Sequence, residues 1–262
     1  PCPGGSSLAP GGGGLTYPKR VRMHSPHPSL FRAYDLRGIV GDTLHATDFL
    51  CIGQAFASHV AEQCQTRTPL IVALRDGRAS SPNLAEAFIE GMMRAGAHVL
   101  DAGEGPTPLC SFAAHHVSAD GSVMITGSHN PGDHNGAKLT CEGRSVYGQA
   151  LTTLHSRILQ GDVLHSRGQR EEIHVQDEYV HELRRTLHDT EALSKLGVAW
   201  DAGNGIAGGV IAQLLSSTPE GLHVPLYLEN DSRFPHHHPD PSVAENLAAL
   251  QDAMHRAPGK LA

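Results

Sequence analysis

With 262 residues, 39% hydrophobic and 18% charged, the chain can bury a core of one or two domains, and its composition excludes a disordered or membrane-embedded protein. Its formal charge of −7 excludes the usual basic nucleic-acid-binding domain, and no apolar stretch approaches the ~20 residues a bilayer span requires. Five scattered cysteines, Cys2, Cys51, Cys64, Cys110 and Cys141, with no C-x-x-C pair, predict reduced thiols in a cytoplasmic protein rather than a disulfide framework or a zinc site.

Residues 1–26 open on a stretch rich in Pro, Gly and Ser without a hydrophobic segment, which reads as a flexible tail and not as a secretory signal. The first residue is not Met, so the recorded chain is expected to lack its natural start or to be processed. Lys19, Arg20, Arg22, Arg32 and Arg37 follow with only Asp35 opposing them, which reads as a solvated basic face.

From residue 69 onward strand and helix signals alternate. Residues 70–74 form a short apolar run that ends in the polar turn Arg75-Asp76-Gly77-Arg78. Ser81-Pro82 gives a helix start, Leu84, Phe88 and Met92 repeat at helical spacing, and Gly96 stops the helix. A strand over 98–100, a helix over 106–117 and a strand over 122–126 come next. A loop, a short strand over 137–140 and a helix over 151–159 complete a first unit.

Residues 161–172 are polar and aperiodic, and predict a linker. Beyond it come a helix over 175–187, a strand over 198–200, a loop over 201–205, a helix over 206–215, a strand over 223–228, a Pro/His-rich loop over 234–241 and a helix from Ser242. This βαβα succession argues for an α/β fold: a mostly parallel, mixed sheet sandwiched by helices, plus a second, incomplete α/β domain of similar type. The chain ends directly after its last helix, so the second sheet is expected to keep an unpaired edge and to lack a remainder.

Thr126-Gly127-Ser128-His129-Asn130-Pro131, followed by Asn135-Gly136-x-Lys138, carries the chemistry. Open α/β sheets place their sites at the carboxyl ends of parallel strands, and a serine presented there can carry a group covalently. With His129 beside it and Lys138 nearby the expected cargo is anionic. Backbone N–H groups of such a loop can cradle phosphate oxygens. Any single serine is more often a plain loop residue; the full pattern is what distinguishes this one.

The segment resembles the active-site serine loop of the α-D-phosphohexomutases, of the bacterial phosphomannomutase/phosphoglucomutase type. Phe31-Arg32-Ala33-Tyr34-Asp35-Leu36-Arg37-Gly38 resembles that family's F-R-x-Y-D-[IL]-R-G signature, and Arg75-Asp76-Gly77-Arg78 its G-R-D-x-R turn, with Leu74 where glycine is usual. Gly105-Pro106-Thr107-Pro108 resembles a structural turn of the family. Asp201-Ala202-Gly203-Asn204-Gly205 and the segment Phe234-Pro235-x-His237-His238-Pro239-Asp240-Pro241 resemble second-domain segments. The resemblance implies domain I over 27–165 and domain II over 173–262, the latter stopping before the metal-binding loop.

It further implies a phosphohexomutase that interconverts hexose 1-phosphate and hexose 6-phosphate, of mannose or glucose, through a phosphoserine and a bound bisphosphate. Ser128 is the expected phosphoryl carrier. Lys138 is expected to take the proton of the attacking hydroxyl and to touch substrate, Arg37 to hold a phosphate or the transferring group, Tyr34 to touch substrate, and His129 to orient the loop. Mg²⁺, bound through the Ser128 phosphate, and a hexose 1,6-bisphosphate primer are the implied cofactors. The implied partner is a small phosphosugar, with no nucleic acid and no membrane, on a monomer or weak dimer.

The family's Asp-Gly-Asp-Gly-Asp-Arg metal loop and its later Gly-Glu-x-Ser-Gly-His loop occur nowhere in these residues. The text leaves the family pattern at Ala257-Pro258-Gly259-Lys260, so the chain alone is expected not to turn over.

Two other readings compete. One is a non-catalytic phosphosugar-binding or interaction module built from the same domains. The other is a dinucleotide-dependent oxidoreductase, because Gly203-Asn204-Gly205-Ile206-Ala207-Gly208 matches G-x-G-x-x-G with Glu229 about 20 residues on. His236-His237-His238 invites a metal reading, but three consecutive side chains on an extended loop do not converge on one ion, so a structural role is expected.

Overall fold

The computed structural model describes residues 24–188, 196–256 and 260–261. Most of the predicted tail, with Cys2, Lys19, Arg20 and Arg22, lies outside the described residues, as do 257–259 of the point where the family pattern breaks.

The first unit is a mixed sheet between two helical layers. Its elements are β1 (Leu36–Ile39), α1 (Ala46–Gln63), β2 (Leu70–Arg75), α2 (Ser81–Arg94), β3 (His98–Glu104), α3 (Thr107–His116), β4 (Gly121–Ile125), β5 (His134–Cys141), β6 (Arg144–Ser145), α4 (Gln149–Gln160) and β7 (Gln169–Glu172). The strand order is β1-β5-β4-β2-β3-β7, with β6 paired to β5. Strands β4, β2, β3 and β7 run parallel, while β5 lies antiparallel between β1 and β4.

Internal strands covered on both faces cannot alternate in polarity, which is why β2 and β4 read as continuous apolar runs. Ile71, Ala73, Val123 and Ile125 face the larger core under α1, α2 and α4, whereas Val72, Leu74 and Met124 face the smaller core under α3.

Helices α1 and α2 meet backbone to backbone. A Cβ on Gly53 would stand 2.3 Å from the Phe88 carbonyl oxygen, and one on Gly91 would stand 2.1 Å from that of Leu50. The Phe88 ring lies edge-on to Phe49 at 5.4 Å and tilted to Phe56 at 6.2 Å. Gly91→Ala forces the helices apart and is expected to cost about 1–3 kcal/mol, read as a lower urea midpoint at unchanged slope.

Burial also sets an acid sensitivity on α1. His59 is held below its ordinary value by burial, with Arg157 adding and Glu62 opposing. The fold favours neutral imidazole, so the unfolded chain takes up its proton first. Stability is therefore undiminished above the unfolded value of about 6.5 and falls as pH drops through it toward the folded value. His59→Gln is expected to flatten that part of the melting-temperature profile between roughly pH 7 and pH 5.

Three expectations are corrected here. The stretch predicted as a linker over 161–172 contains β7, which pairs in parallel with His98–Asp101 of β3. All four of its side chains are exposed, so no face is buried and no periodicity marks it. Charge blunts this edge instead: Arg170 binds Asp101 at 2.5 Å and Glu86 at 2.7 Å. Likewise Arg37 does not belong to a solvated basic face, being 4% exposed and paired with Asp35. The strand expected over 137–140 is longer, because it continues as a ribbon between two partners.

The second unit holds α5 (Gln176–His188), β8 (Gly197–Asp201), α6 (Gly208–Leu215), β9 (Val224–Leu226), α7 (Ala248–Arg256) and β10 (Lys260–Leu261). Its parallel sheet has the order β10-β8-β9. The edge expected to stay unpaired is occupied: Lys260 and Leu261 pair with Gly197 and Val198. The helix expected from Ser242 begins as a 3₁₀ turn, Ala244–Leu247, that runs into α7.

Helix α5 bridges the units. Its Tyr179 packs on Phe112 of α3 at 5.3 Å, and its Gln176 bonds Gln213 of α6 at 3.0 Å. Cys51, Cys64, Cys110 and Cys141 are free. Among the described residues no helix is long and apolar enough to cross a membrane.

Candidate active site

The carboxyl ends of β2, β3 and β4 open onto a cavity of about 530 Å³ closed on its far side by the second unit. The first unit contributes the Asp76–Arg78 turn, Pro106 to Pro108, Thr126, Ser128 and His129; the second contributes the loop after β8, Asn230, Phe234 and His237.

Ser128 stands on the loop leaving β4 with a left-handed backbone, φ 53°. A non-glycine residue holds this conformation only where its surroundings impose it, and here they do. The Ser128 amide donates to Thr126 Oγ1 at 2.8 Å, the Gly127 amide to Asp76 Oδ2 at 3.0 Å, and the Asn130 amide to the Gly127 carbonyl at 3.1 Å. The expected cradle of loop amides is therefore not offered by these three, whose N–H groups hold the loop itself. His129 Nδ1 lies 3.4 Å from Ser128 Oγ.

Arg78 does most of the holding. It is 3% exposed, and its guanidinium donates to the carbonyls of Pro131 at 2.5 Å, His134 at 3.1 Å, Ser128 at 2.9 Å and Asn130 at 2.6 Å. Burial lowers it from its ordinary value, with Asp76 opposing and Arg37 adding, yet an arginine stays charged at any working pH. Asp76 answers that charge at 3.3 Å from Nε and also accepts from Ser81 Oγ. Asn135, fully buried, donates to Ser80 Oγ at 2.8 Å and Ser81 Oγ at 2.9 Å.

The downstream motif has a physical basis residue by residue. Asn135 bolts β5 to the start of α2. Gly136 lets β1 approach, since a Cβ there would stand 1.9 Å from the Leu36 carbonyl oxygen. Lys138 is half-buried and directly opposite Met124, so its side chain shares the sheet face of Met124, which lines the cavity.

Arg37 donates to the Thr126 carbonyl at 3.0 Å and pairs with Asp35, so it sits at the root of the serine loop. Tyr34 is 81% exposed. Neither lines the cavity, and Lys138 does not line it either, sharing only the sheet face of Met124; of the expected site residues the structure brings Ser128 and His129 to its wall. Leu74, standing where glycine was expected, is buried at the irregularity of the β2–β3 pairing.

On the second unit Asn204, φ 57° and 3% exposed, donates to the Glu229 carbonyl at 2.9 Å and receives His236 Nδ1 at 2.6 Å. His237 Nε2 lies 3.1 Å from Asp201 Oδ2, and His236 stacks on Tyr227 at 3.9 Å. The histidine run thus clasps the Asp201 to Gly205 loop. The sequence marks the turn that holds Arg78 and Asp76 without pointing to a role for either; a charged pair between two apolar runs is the available signal.

Residues 28–162 match the phosphoglucomutase/phosphomannomutase alpha/beta/alpha domain I family, and residues 177–261 match its alpha/beta/alpha domain II. The chain belongs to the phosphoglucomutase/phosphomannomutase family. A phosphomannomutase/phosphoglucomutase of Pseudomonas putida is 40% identical over 223 residues, covering 85% of this chain and 46% of its own length. A phosphoglucomutase of Neisseria meningitidis is 37% identical over 232 residues, covering 88% and 49%.

The crystal structure of a family protein from Burkholderia thailandensis superposes with a TM-score of 0.76 at 36% identity, over 87% of this chain and 50% of that one. The chain therefore spans about half the length of the curated family members it matches. The family match takes in Gly203–Gly208, whose last glycine allows the helix to approach the chain just after β9: a Cβ there would stand 1.7 Å from the Leu228 carbonyl oxygen.

Proposed function

We propose that this chain supplies the phosphoserine half of a phosphohexomutase that interconverts hexose 1-phosphate and hexose 6-phosphate, mannose and glucose being the sugars that its relatives' names indicate. The observation that carries the reading is Ser128, held left-handed at the mouth of the cavity by a buried arginine that grips four loop carbonyls.

Phosphoryl transfer needs little covalent help from the protein beyond positioning and charge stabilisation. The bond from phosphorus to Ser128 Oγ breaks as the free sugar hydroxyl forms its own bond to phosphorus. That hydroxyl's proton goes to Lys138, and Ser128 Oγ regains one from the side of His129. The bisphosphate turns over, and its other phosphoryl group passes to Ser128 Oγ as its bond to the sugar oxygen breaks; that oxygen regains the proton held by Lys138, and the Ser128 hydroxyl gives its own back toward His129. Tyr34 and Arg37 are assigned to the substrate side, with Arg37 also fixing the loop root. Domain I is placed over 27–165 and domain II over 173–262, with the protein cytoplasmic and a monomer or weak dimer.

Mg²⁺ and a hexose 1,6-bisphosphate primer belong to this reading. The carboxylates lining the cavity are already engaged: Asp76 with Gly127 and Arg78, Asp201 with Gly203 and His237, Asp240 with Ser242. Among the described residues no group of three His, Cys, Asp or Glu could hold a metal ion. The described residues do not by themselves make a magnesium cage.

The test is a chimera in which this chain is followed by the part of the Pseudomonas putida relative beyond the match. The chimera is expected to convert glucose 1-phosphate to glucose 6-phosphate with Mg²⁺ and bisphosphate primer, while the 262-residue chain alone does not. Robust turnover by the chain alone contradicts this division of labour.

A further inference from the structure

We propose that Phe234, on the second unit, is a positioning residue for the serine loop of the first. Its ring centroid lies 5.6 Å from Cζ of Arg78, inside the ~6 Å range in which an aromatic face attracts a guanidinium. The edges of that guanidinium are taken by the four loop carbonyls and Asp76. Its flat face is what Phe234 holds.

Two further observations place the same segment against the same machinery. The Asn230 side chain fills the space over Gly77, where a Cβ would stand 2.2 Å from its Nδ2. The Ser232 carbonyl oxygen lies 3.3 Å from the Cβ position of Gly132, at the far end of the serine loop. Residues 230–234 therefore touch both the turn that carries Arg78 and the loop that Arg78 grips.

The backbone of Phe234 supports a dedicated role. It is left-handed, φ 50°, a conformation unfavourable for a bulky side chain and retained where the surroundings over-determine it. Ser128, at φ 53°, lies at the other end of the same chain of contacts. Docking of the second unit thus fixes the plane of Arg78, Arg78 fixes the carbonyls on either side of His129, and those fix the direction of the Ser128 hydroxyl. The mechanical coupling is independent of what Ser128 carries; its catalytic meaning rests on the mutase reading.

Amide hydrogen exchange followed by mass spectrometry on the chain as it exists tests the coupling. Phe234→Leu keeps apolar bulk but loses the aromatic face, and is expected to speed exchange over 127–136 by about tenfold, with peptides of α1 and α2 unchanged. Phe234→Tyr restores the ring and is expected to return the loop to the wild-type rate. Loop exchange within about twofold of wild type in Phe234→Leu overturns the proposal, as does an equal rise across α1 and α2. If the exchange result holds but the chimera never phosphorylates Ser128, the mutase reading fails and the coupling stands. If the chimera works and loop exchange is unmoved, the coupling alone fails.

Discussion

Ser128→Ala in the chimera is expected to lower turnover by on the order of 10⁴-fold or more, the size seen when a covalent carrier is removed from an otherwise intact site. The loss is expected almost wholly in kcat, because the grip of Arg78 on the loop carbonyls does not involve the hydroxyl. Among the described residues the one partner of Ser128 Oγ is His129 at 3.4 Å, longer than the ordinary range for an O–H donor. Folding stability of the chain is therefore expected to change by less than about 0.5 kcal/mol. Near-normal turnover in Ser128→Ala removes the basis of the whole reading; a large loss of stability means the hydroxyl is structural.

Arg78→Ala has the opposite profile, striking stability first. It removes the donor to four carbonyls and leaves Asp76, with a side chain 10% exposed, without its counter-charge. Breaking a buried pair on one side costs about 3–5 kcal/mol, and the released carbonyls add to that wherever water does not reach them. Arg78→Lys is expected to recover little, since an ammonium is a point donor and cannot span carbonyls arranged around a planar fork. Urea unfolding of the chain reads the first effect. In the chimera, turnover is expected to fall by about 10²-fold in Arg78→Lys, as the hydroxyl drifts from its line of attack. A cost below about 1 kcal/mol for Arg78→Ala contradicts the account of how the loop is held.

Much of this was legible in the sequence because local and tertiary demands coincide. Buried parallel strands must be apolar on both faces, so 70–74 and 122–126 announced themselves. Ser81-Pro82 and Gly96 mark helix ends through backbone chemistry that burial does not alter. The serine loop was legible as a pattern, since Gly136 is required by the close approach of β1 and Asn135 by the hydroxyls of Ser80 and Ser81.

What stayed hidden depends on partners far along the chain. Strand β7 has no buried face, so only the edge it joins makes it a strand. Arg78 looks like a turn residue until the loop some 50 positions away folds around it. Arg37 looked like one of a basic cluster, and only the Thr126 carbonyl and Asp35 show why it is buried. The roles of Tyr34 and Lys138 come from family resemblance; the structure supplies the exposure of one and the sheet face of the other.

The most direct test of the central claim is to identify the phosphorylated side chain of the chimera during turnover. Labelled bisphosphate is added, the reaction is quenched, and the labelled residue is mapped by peptide mass spectrometry under both acidic and alkaline conditions. The predicted result is an acid-stable phosphate on Ser128 alone, which leaves the protein when unlabelled hexose monophosphate is added. An acid-labile phosphate on His129, or sustained turnover with Ser128 unmodified, would contradict it.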